Sequence, residues 1–337
     1  MKSQTTTSLL ANIAPLLFVL LWSTGFIGAR YGLPYIEPFT FLSIRFVLVL
    51  ILLGALTIMF RQPWLRQPVA YGHSAIVGVL LHSGYLGGVF FAIDGGMPAG
   101  LTALIVSLQP VLTALFSQWT LGEQITARQW LGLALGLVGV MAVVGDKLLF
   151  TDTSVVTPIT LASAIVALLA TTAGTLYQKR FGVGLPLLSG TWAQYLGALA
   201  LIAPLALLFE TQEIEWRPEL IGSLLWLTLV LSIGAILLLM VLIRARSAAR
   251  VSSLFYLVPP ATAVEAWLLF GERLGLLAIV GLVVASIGVA LVVVTPPSQA
   301  ESGRYRVYID TIGHALQHRQ PVFSLFGVHA GWIVPRI

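Results

Sequence analysis

The stretch PVLTALFSQWTLGE, residues 110–123, reappears as PPATAVEAWLLFGE at residues 259–272, an offset of 149 positions (259 − 110). The opening proline, the internal Thr-Ala and the closing Gly-Glu all match. Proline and glycine are the costliest residues inside a helix, so their coincidence carries more weight than shared Leu or Val. The same offset aligns Gly25 with Gly174, Leu108 with Leu257, Gly132 with Gly281, and Gly139-Val140 with Gly288-Val289. Arg30-Tyr31-Gly32 aligns with Arg180-Phe181-Gly182 after a one-residue slip. The chain reads as a tandem duplication.

What is duplicated follows from composition. Of 337 residues, 58% are hydrophobic and 9% charged, and mean hydropathy is +0.96. A soluble globular protein carries roughly 25% charged residues, so these charges are too few to cover a water-facing surface. That excludes an ordinary cytosolic enzyme and a disordered chain. It also excludes a nucleic-acid partner, despite the net charge of +5. The absence of cysteine excludes disulfides, thiolate metal sites and cysteine nucleophiles. Apart from Arg45, the run Ile44–Met59 is apolar on every face, which suits a lipid-embedded helix and not the period-2 alternation of a barrel strand.

With roughly 20 apolar residues per span, helices are expected near 13–30, 39–60, 72–93, 98–121, 129–146, 157–178, 187–209, 219–243, 249–270 and 275–294. The first apolar run, flanked by Lys2, is too long for a secretory h-region and is read as a retained helix. Each half, 13–146 and 157–294, then holds five helices. Because five is odd, the second half enters the membrane from the opposite side. The expected fold class is an all-α integral membrane protein of ten transmembrane helices in two inverted five-helix repeats. Inverted repeats are the architecture of alternating access around a midplane site.

Lys and Arg set the orientation. With the N-terminus inside, nine fall on the inner side (Lys2, Arg61, Arg66, Arg128, Lys179, Arg180, Arg244, Arg246, Arg250) and four outside (Arg30, Lys147, Arg217, Arg273). Both termini are expected to be cytoplasmic. The tail 295–337 opens with Pro296-Pro297-Ser298 and is read as weakly ordered and cytoplasmic. His314 and His318 have metal-ligand spacing within it, but nothing else supports a metal site, and none is expected.

Leu21-Trp22-Ser23-Thr24-Gly25-Phe26, Arg45-Phe46 and the two proline-to-Gly-Glu segments resemble the drug/metabolite transporter superfamily. Within it the chain resembles the ten-helix EamA-type exporters over about 13–294. Gln194-Tyr195 stands in the second half where Arg45-Phe46 stands in the first, as is common in that family. The resemblance implies a bacterial inner-membrane exporter of small organic metabolites, amino-acid-like or drug-like, working through a central cavity between the halves. The tail 295–337 matches nothing in the family.

Several residues are candidates for the site. Arg45 sits about six residues into the second helix. An intramembrane arginine must be paired, solvated or snorkelling, so it either anchors an anionic substrate group or orders the outer helix ends. Glu265 lies at similar depth in the ninth helix. It is a candidate for proton coupling, since a carboxylate held away from water can exchange protons near neutral pH, or for liganding a substrate cation. Together with Arg45 it is a candidate outer gate; the alternative is a structural or lipid-interface role. His82 lies mid-helix beside Ser83, Gly84 and Tyr85, and is either a substrate contact or a hydrogen-bonded packing residue. Trp22, Ser23, Thr24, Gln109, Tyr177 and Gln194 are read as substrate-binding residues lining an aromatic and hydrogen-bonding cavity, the alternative for each being helix–helix hydrogen bonding. Pro110 and Pro259 are candidate hinges, or static kinks.

The cavity is expected among the first four helices and their mates, the sixth to ninth, with the fifth and tenth as outer braces. Gly132-xxx-Gly136 and Gly281-xxx-Ala285 are small-xxx-small ridges that serve packing within the protomer or a homodimer face. The sequence holds no Walker lysine loop, so this chain does not itself use ATP. It also lacks His-Glu-x-x-His, Gly-x-Ser-x-Gly and an intramembrane aspartate pair, which argues against an intramembrane enzyme. No cofactor is expected. The expected partners are the lipid bilayer and a small-molecule substrate. A passive facilitator or channel is the competing reading, because the same cavity serves either.

Overall fold

A computed structural model describes residues 2–97, 99–148, 156–270 and 275–293. The tail 295–337 with its two histidines, and the second Gly-Glu pair, Gly271-Glu272, lie outside the described residues. Among the described residues, nine helices are long and apolar enough to cross a bilayer. They are α1 (Ile13–Tyr35), α2 (Pro38–Met59), α3 (Pro68–Asp94), α4 (Thr102–Thr120), α5 (Ala127–Gly145), α6 (Pro158–Phe181), α7 (Leu187–Phe209), α8 (Pro218–Arg244) and α10 (Leu276–Val293). Between α8 and α10 lies a broken helical segment, α9 (248–270), which completes the ten. Among the described residues there is no strand, only an isolated antiparallel bridge between Ile36 and Ile214.

Local chemistry fixes the helix starts. Pro38, Pro68, Pro158 and Pro218 each open a span, where proline's fixed φ suits a helix and its missing N–H costs nothing. This is why α3 begins at Pro68, earlier than its apolar run alone suggests. Thr157 adds a capping box with Thr160 at the start of α6. The outer surface is apolar: Leu16, Ile51, Ile58, Leu207, Leu208, Phe209 and Leu276 are all more than half exposed. In water that would be untenable; in lipid it is required.

The duplication extends to the irregular backbone. In α3 the stretch Val79–Gly87 is π-helical, and in α8 so is Leu227–Ala235, 148 positions on (227 − 79). In α4 the helix breaks at Ser107-Leu108 and restarts at Gln109. In α9 a 3-10 stretch, Leu254–Leu257, precedes a restart at Val258, 149 positions on (258 − 109). Each restart stands one residue ahead of its proline, Pro110 or Pro259. A proline has no N–H to give the preceding turn, so the break sits where the sequence demands it.

Packing between the halves obeys the same symmetry. Helix α1 packs on α8 as α6 packs on α3, and α1 on α9 as α6 on α4, while α2 meets α7 and α5 meets α10. A Cβ at Gly25 would lie 2.7 Å from Leu231 Cδ2, and one at Gly174 would lie 2.7 Å from Leu81 Cδ2. The α5–α10 crossing is especially close. A Cβ on Gly132 would come within 2.6 Å of the Gly288 carbonyl oxygen, and one on Gly281 within 2.6 Å of the Gly139 carbonyl oxygen. These two contacts are exchanged by the repeat, since Gly132 maps to Gly281 and Gly139 to Gly288. The small-residue ridge is thus used within the chain, and α5 and α10 brace the broken helices α4 and α9 from outside.

Candidate functional site

Helix termini are tied at both ends of the bundle: where α1 closes, Glu210 after α7 accepts the Phe39 and Thr40 N–H groups at 2.7 and 2.6 Å. At the end where α1 begins, the near end, the helix termini are laced together. Lys179 donates to the carbonyls of Ile243 and Arg246 at the close of α8. Arg244 reaches Leu185 O at 2.6 Å, Arg180 reaches Thr120 O at 3.0 Å, and Ser189 Oγ reaches Pro63 O at 2.8 Å. The His73 ring stacks on Phe181, centroids 4.6 Å apart, and its Nδ1 lies 2.8 Å from the Tyr177 hydroxyl.

Toward the opposite, far end lie two cavity lobes. One, with about 510 Å³ of empty space including open solvent, is bounded by Trp22, Gly25 and Ala29 of α1, Arg45 of α2, Tyr85, Leu86, Val89, Phe90 and Ile93 of α3, and Leu231 and Ile236 of α8. The other, with about 380 Å³ of empty space including open solvent, is bounded by α1, α3, the first part of α4, and Phe255, Val258 and Pro259 of α9. Trp22, Tyr85 and Val89 belong to both. The Trp22 and Tyr85 rings lie 15° from parallel with centroids 6.4 Å apart. Phe18 and Phe255 close the space beneath Trp22: ring centroids in this trio are 5.2–5.4 Å apart. The floor is therefore aromatic, and it sits at the level of the α9 break.

Of the residues singled out in the sequence, Trp22, Arg45 and Pro259 border the lobes. Arg45 is buried and donates from Nε to Ser232 Oγ at 3.0 Å, within the π segment of α8. Ser23 turns to α9, its Oγ 2.5 Å from Glu265 Oε1 and 2.9 Å from Leu20 O. Arg45 and Glu265 thus belong to separate hydrogen-bond networks, and the two charges do not pair here. Thr24 accepts from Trp226 Nε1 at 2.9 Å, away from the lobes.

The remaining candidates lie deeper. Gln109 donates to Ser252 Oγ at 3.1 Å and Thr175 Oγ1 at 3.4 Å, tying α4 to α9 and α6. Gln194, the repeat mate of Arg45, donates to Gln178 Oε1 at 3.1 Å. His82 is fully buried and stacks on Tyr195 at 4.2 Å, with Phe46 edge-on to both. Tyr177 belongs to the near-end stack with His73 and Phe181. Pro110 is buried at the α4 restart.

Sequence reasoning did not single out Ser232, Phe255 or Leu231 as site residues. The repeat offers a route to Ser232: the π segments coincide in the two halves, and Ser83, already noted beside His82, stands 149 positions before it (232 − 83).

The sequence profile of the EamA-like transporter family matches residues 9–145 and again 158–294. A protein of Escherichia coli (strain K12) named as a probable amino-acid metabolite efflux pump is 29% identical over 139 residues, which is 41% of this chain and 44% of that protein. This chain therefore matches less than half the length of that relative. An uncharacterized transporter of Bacillus subtilis (strain 168) is 27% identical over 81% of this chain and 88% of its own length. An uncharacterized inner membrane transporter of Escherichia coli (strain K12) is 26% identical over 76% and 81% respectively. One crystal structure superposes with a TM-score of 0.71 over 84% of this chain and 99% of that one; at 21% identity it speaks for the fold alone.

Proposed function

From the premise that this chain belongs to the EamA-like transporter family, we propose that it exports small organic metabolites, amino-acid-like or drug-like, by alternating access across a bacterial inner membrane. The observation that carries the reading is an asymmetry within a symmetric fold. The lobes lie between Trp22, Gly25 and Arg45 on the far side. Their repeat mates Thr171, Gly174 and Gln194 lie toward the near end and border neither lobe, and Gln194 is bonded to Gln178. Two halves of one design hold two different arrangements. Exchanging them would close the far side and open the near one, which is how inverted repeats alternate.

On the Lys and Arg bias, the near end and both termini belong to the cytoplasm, so the observed arrangement faces outward. The breaks at Pro110 and Pro259 are the natural hinges, because helices interrupted at membrane depth leave backbone groups free to change partners. The inner-membrane setting is supported by the Escherichia coli relative so named.

Glu265 is the candidate for proton coupling, acting through Ser23. The Ser23 hydroxyl has one proton and two oxygen neighbours, Leu20 O and Glu265 Oε1. With Glu265 protonated, the carboxyl donates to Ser23 and Ser23 donates to Leu20; with Glu265 ionised, one of the two bonds is lost. Protonation is thereby linked to the seating of α9 on α1. The test is purified protein in sealed vesicles under an imposed pH gradient. Uphill, proton-driven movement of a metabolite supports the reading, whereas flux that only ever runs downhill assigns the chain to passive facilitation.

A further inference from the structure

The cavity chemistry narrows the substrate class, an inference that rests on the transport reading above. Arg45 is 1% exposed. Its Nε is engaged by Ser232, and among the described residues its two terminal guanidinium nitrogens have no acceptor. The titratable groups facing it are Tyr195 of α7 and His82 of α3, neither a carboxylate. Glu265 is turned to Ser23. A buried cation with no counter-charge is a costly arrangement in a folded chain, and it becomes favourable once an anion arrives.

The rest of the wall is apolar or aromatic, with Trp22, Tyr85, Phe90, Leu231 and Ile236 around Arg45. Among the described residues no aspartate or glutamate borders either lobe, so no carboxylate there would pair with an ammonium group. The near-parallel Trp22 and Tyr85 rings both border the lobe and give it an aromatic wall against which an apolar or aromatic body packs. A guanidinium held at Nε still offers its two terminal nitrogens, the fork that matches a carboxylate. The repeat mate is a neutral glutamine, Gln194, so the charge orients the ligand within one half only.

We propose that Arg45 anchors an amphipathic monoanion in the larger lobe: a substrate with one carboxylate on an apolar or aromatic body, bound carboxylate to guanidinium with its body along Trp22 and Tyr85.

The test is equilibrium binding of three probes of one shape to the full chain in lipid nanodiscs: 3-phenylpropionate, its neutral amide 3-phenylpropionamide, and the cationic 3-phenylpropylamine. The acid is expected to bind at least about tenfold more tightly than the amide, the scale of a hydrogen bond to a charged group, and the amine most weakly. Arg45→Gln should level the acid with the amide, and Arg45→Lys should keep part of the preference. Should Arg45→Gln fail to fold, the wild-type ranking and Arg45→Lys still decide. Amide or amine binding as tightly as the acid, no binding by any probe, or an acid preference that survives Arg45→Gln would each overturn the proposal. The vesicle experiment separates this from the transport reading. Uphill movement of a neutral or cationic solute, with no acid preference, removes the anion anchor alone. Acid binding without any solute movement removes the transport reading and leaves the anion site standing.

Discussion

Glu123, at the end of α4 in the first half, caps α9 in the second: its Oε1 accepts the Ala248 N–H at 2.8 Å and its Oε2 the Ala249 N–H at 3.4 Å. Sequence logic assigns a Gly-Glu pair to ending one helix and starting the next. Gly122 fits that, with φ at +65° just past α4. The glutamate instead satisfies two of the orphan donors of a helix far away in sequence. The two halves are thereby tied at the near end.

Removing that tie should loosen the near end without touching the cavity. Glu123→Ala is expected to cost about 1 kcal/mol, as the loss of an N-terminal cap does. It should also raise the reactivity of a cysteine placed at the buried Ser252 toward a thiol reagent added from the near side. Ser252 sits between α4 and α9, bonded to Gln109. An unchanged labelling rate would mean that the cap does not hold this end shut.

The glycine ridge gives a stability test with an internal control. A Cβ at Gly139 would overlap the Ala285 backbone nitrogen, whereas one at Gly222 meets nothing within 4 Å. Gly139→Ala should therefore force α5 and α10 apart and lower the thermal midpoint, by the roughly 1–3 kcal/mol typical of overpacking. Gly222→Ala, in an exposed helical position, should be neutral or stabilising by up to about 1 kcal/mol. Similar midpoints for both would contradict this crossing.

How much was legible in the sequence follows from what lipid does to a helix. Glycine and proline are expensive in any solvent, so Gly132, Gly139, Gly281, Gly288, Pro110 and Pro259 disclosed the duplication, the ridge and the breaks. Facing directions were not disclosed. In water an apolar stripe marks the inward face, but in lipid apolar side chains point both ways. Ile51 faces outward and Val49 is fully buried, and both are simply apolar. Hence Trp22 was found on the cavity wall, while Thr24 turned to Trp226 and Tyr177 to His73. The partners of Arg45 and Glu265 could not be read either, because Ser232 and Ser23 lie 187 and 242 positions from them.

Accessibility in this cysteine-free chain should map the cavity directly. Single cysteines at Leu86 and Ala103, on the walls of the two lobes, should react with a water-soluble thiol reagent added from the far side. A cysteine at Val138, half-exposed on the outer brace α5, should not react, because lipid keeps the thiolate from forming. A cysteine at Gln194 should react only from the near side, and only when the opposite arrangement is populated. Labelling of Gln194 and Leu86 from the same side at equal rates would remove the two-sided reading.

The coupling role of Glu265 predicts a separation between exchange and accumulation. Its Oε1 lies 2.5 Å from Ser23 Oγ, while its Oε2 is buried without a partner among the described residues. Glutamine resembles the protonated acid in shape and can donate an N–H to Ser23, but it cannot release a proton. Glu265→Gln should therefore leave the protein folded and able to exchange solute across a vesicle membrane. It should abolish accumulation driven by a pH gradient and flatten the pH dependence of transport. Ser23→Ala, which removes the hydroxyl and leaves the carboxylate, should shift the pH profile without abolishing it. Because Arg45 and Glu265 sit in separate networks, reversing both charges together is expected to restore no more function than the single reversals predict by addition. A rescue by the double reversal would instead show that the two residues meet in another state and form a gate. Wild-type accumulation and an unchanged pH profile in Glu265→Gln would exclude this residue from coupling altogether.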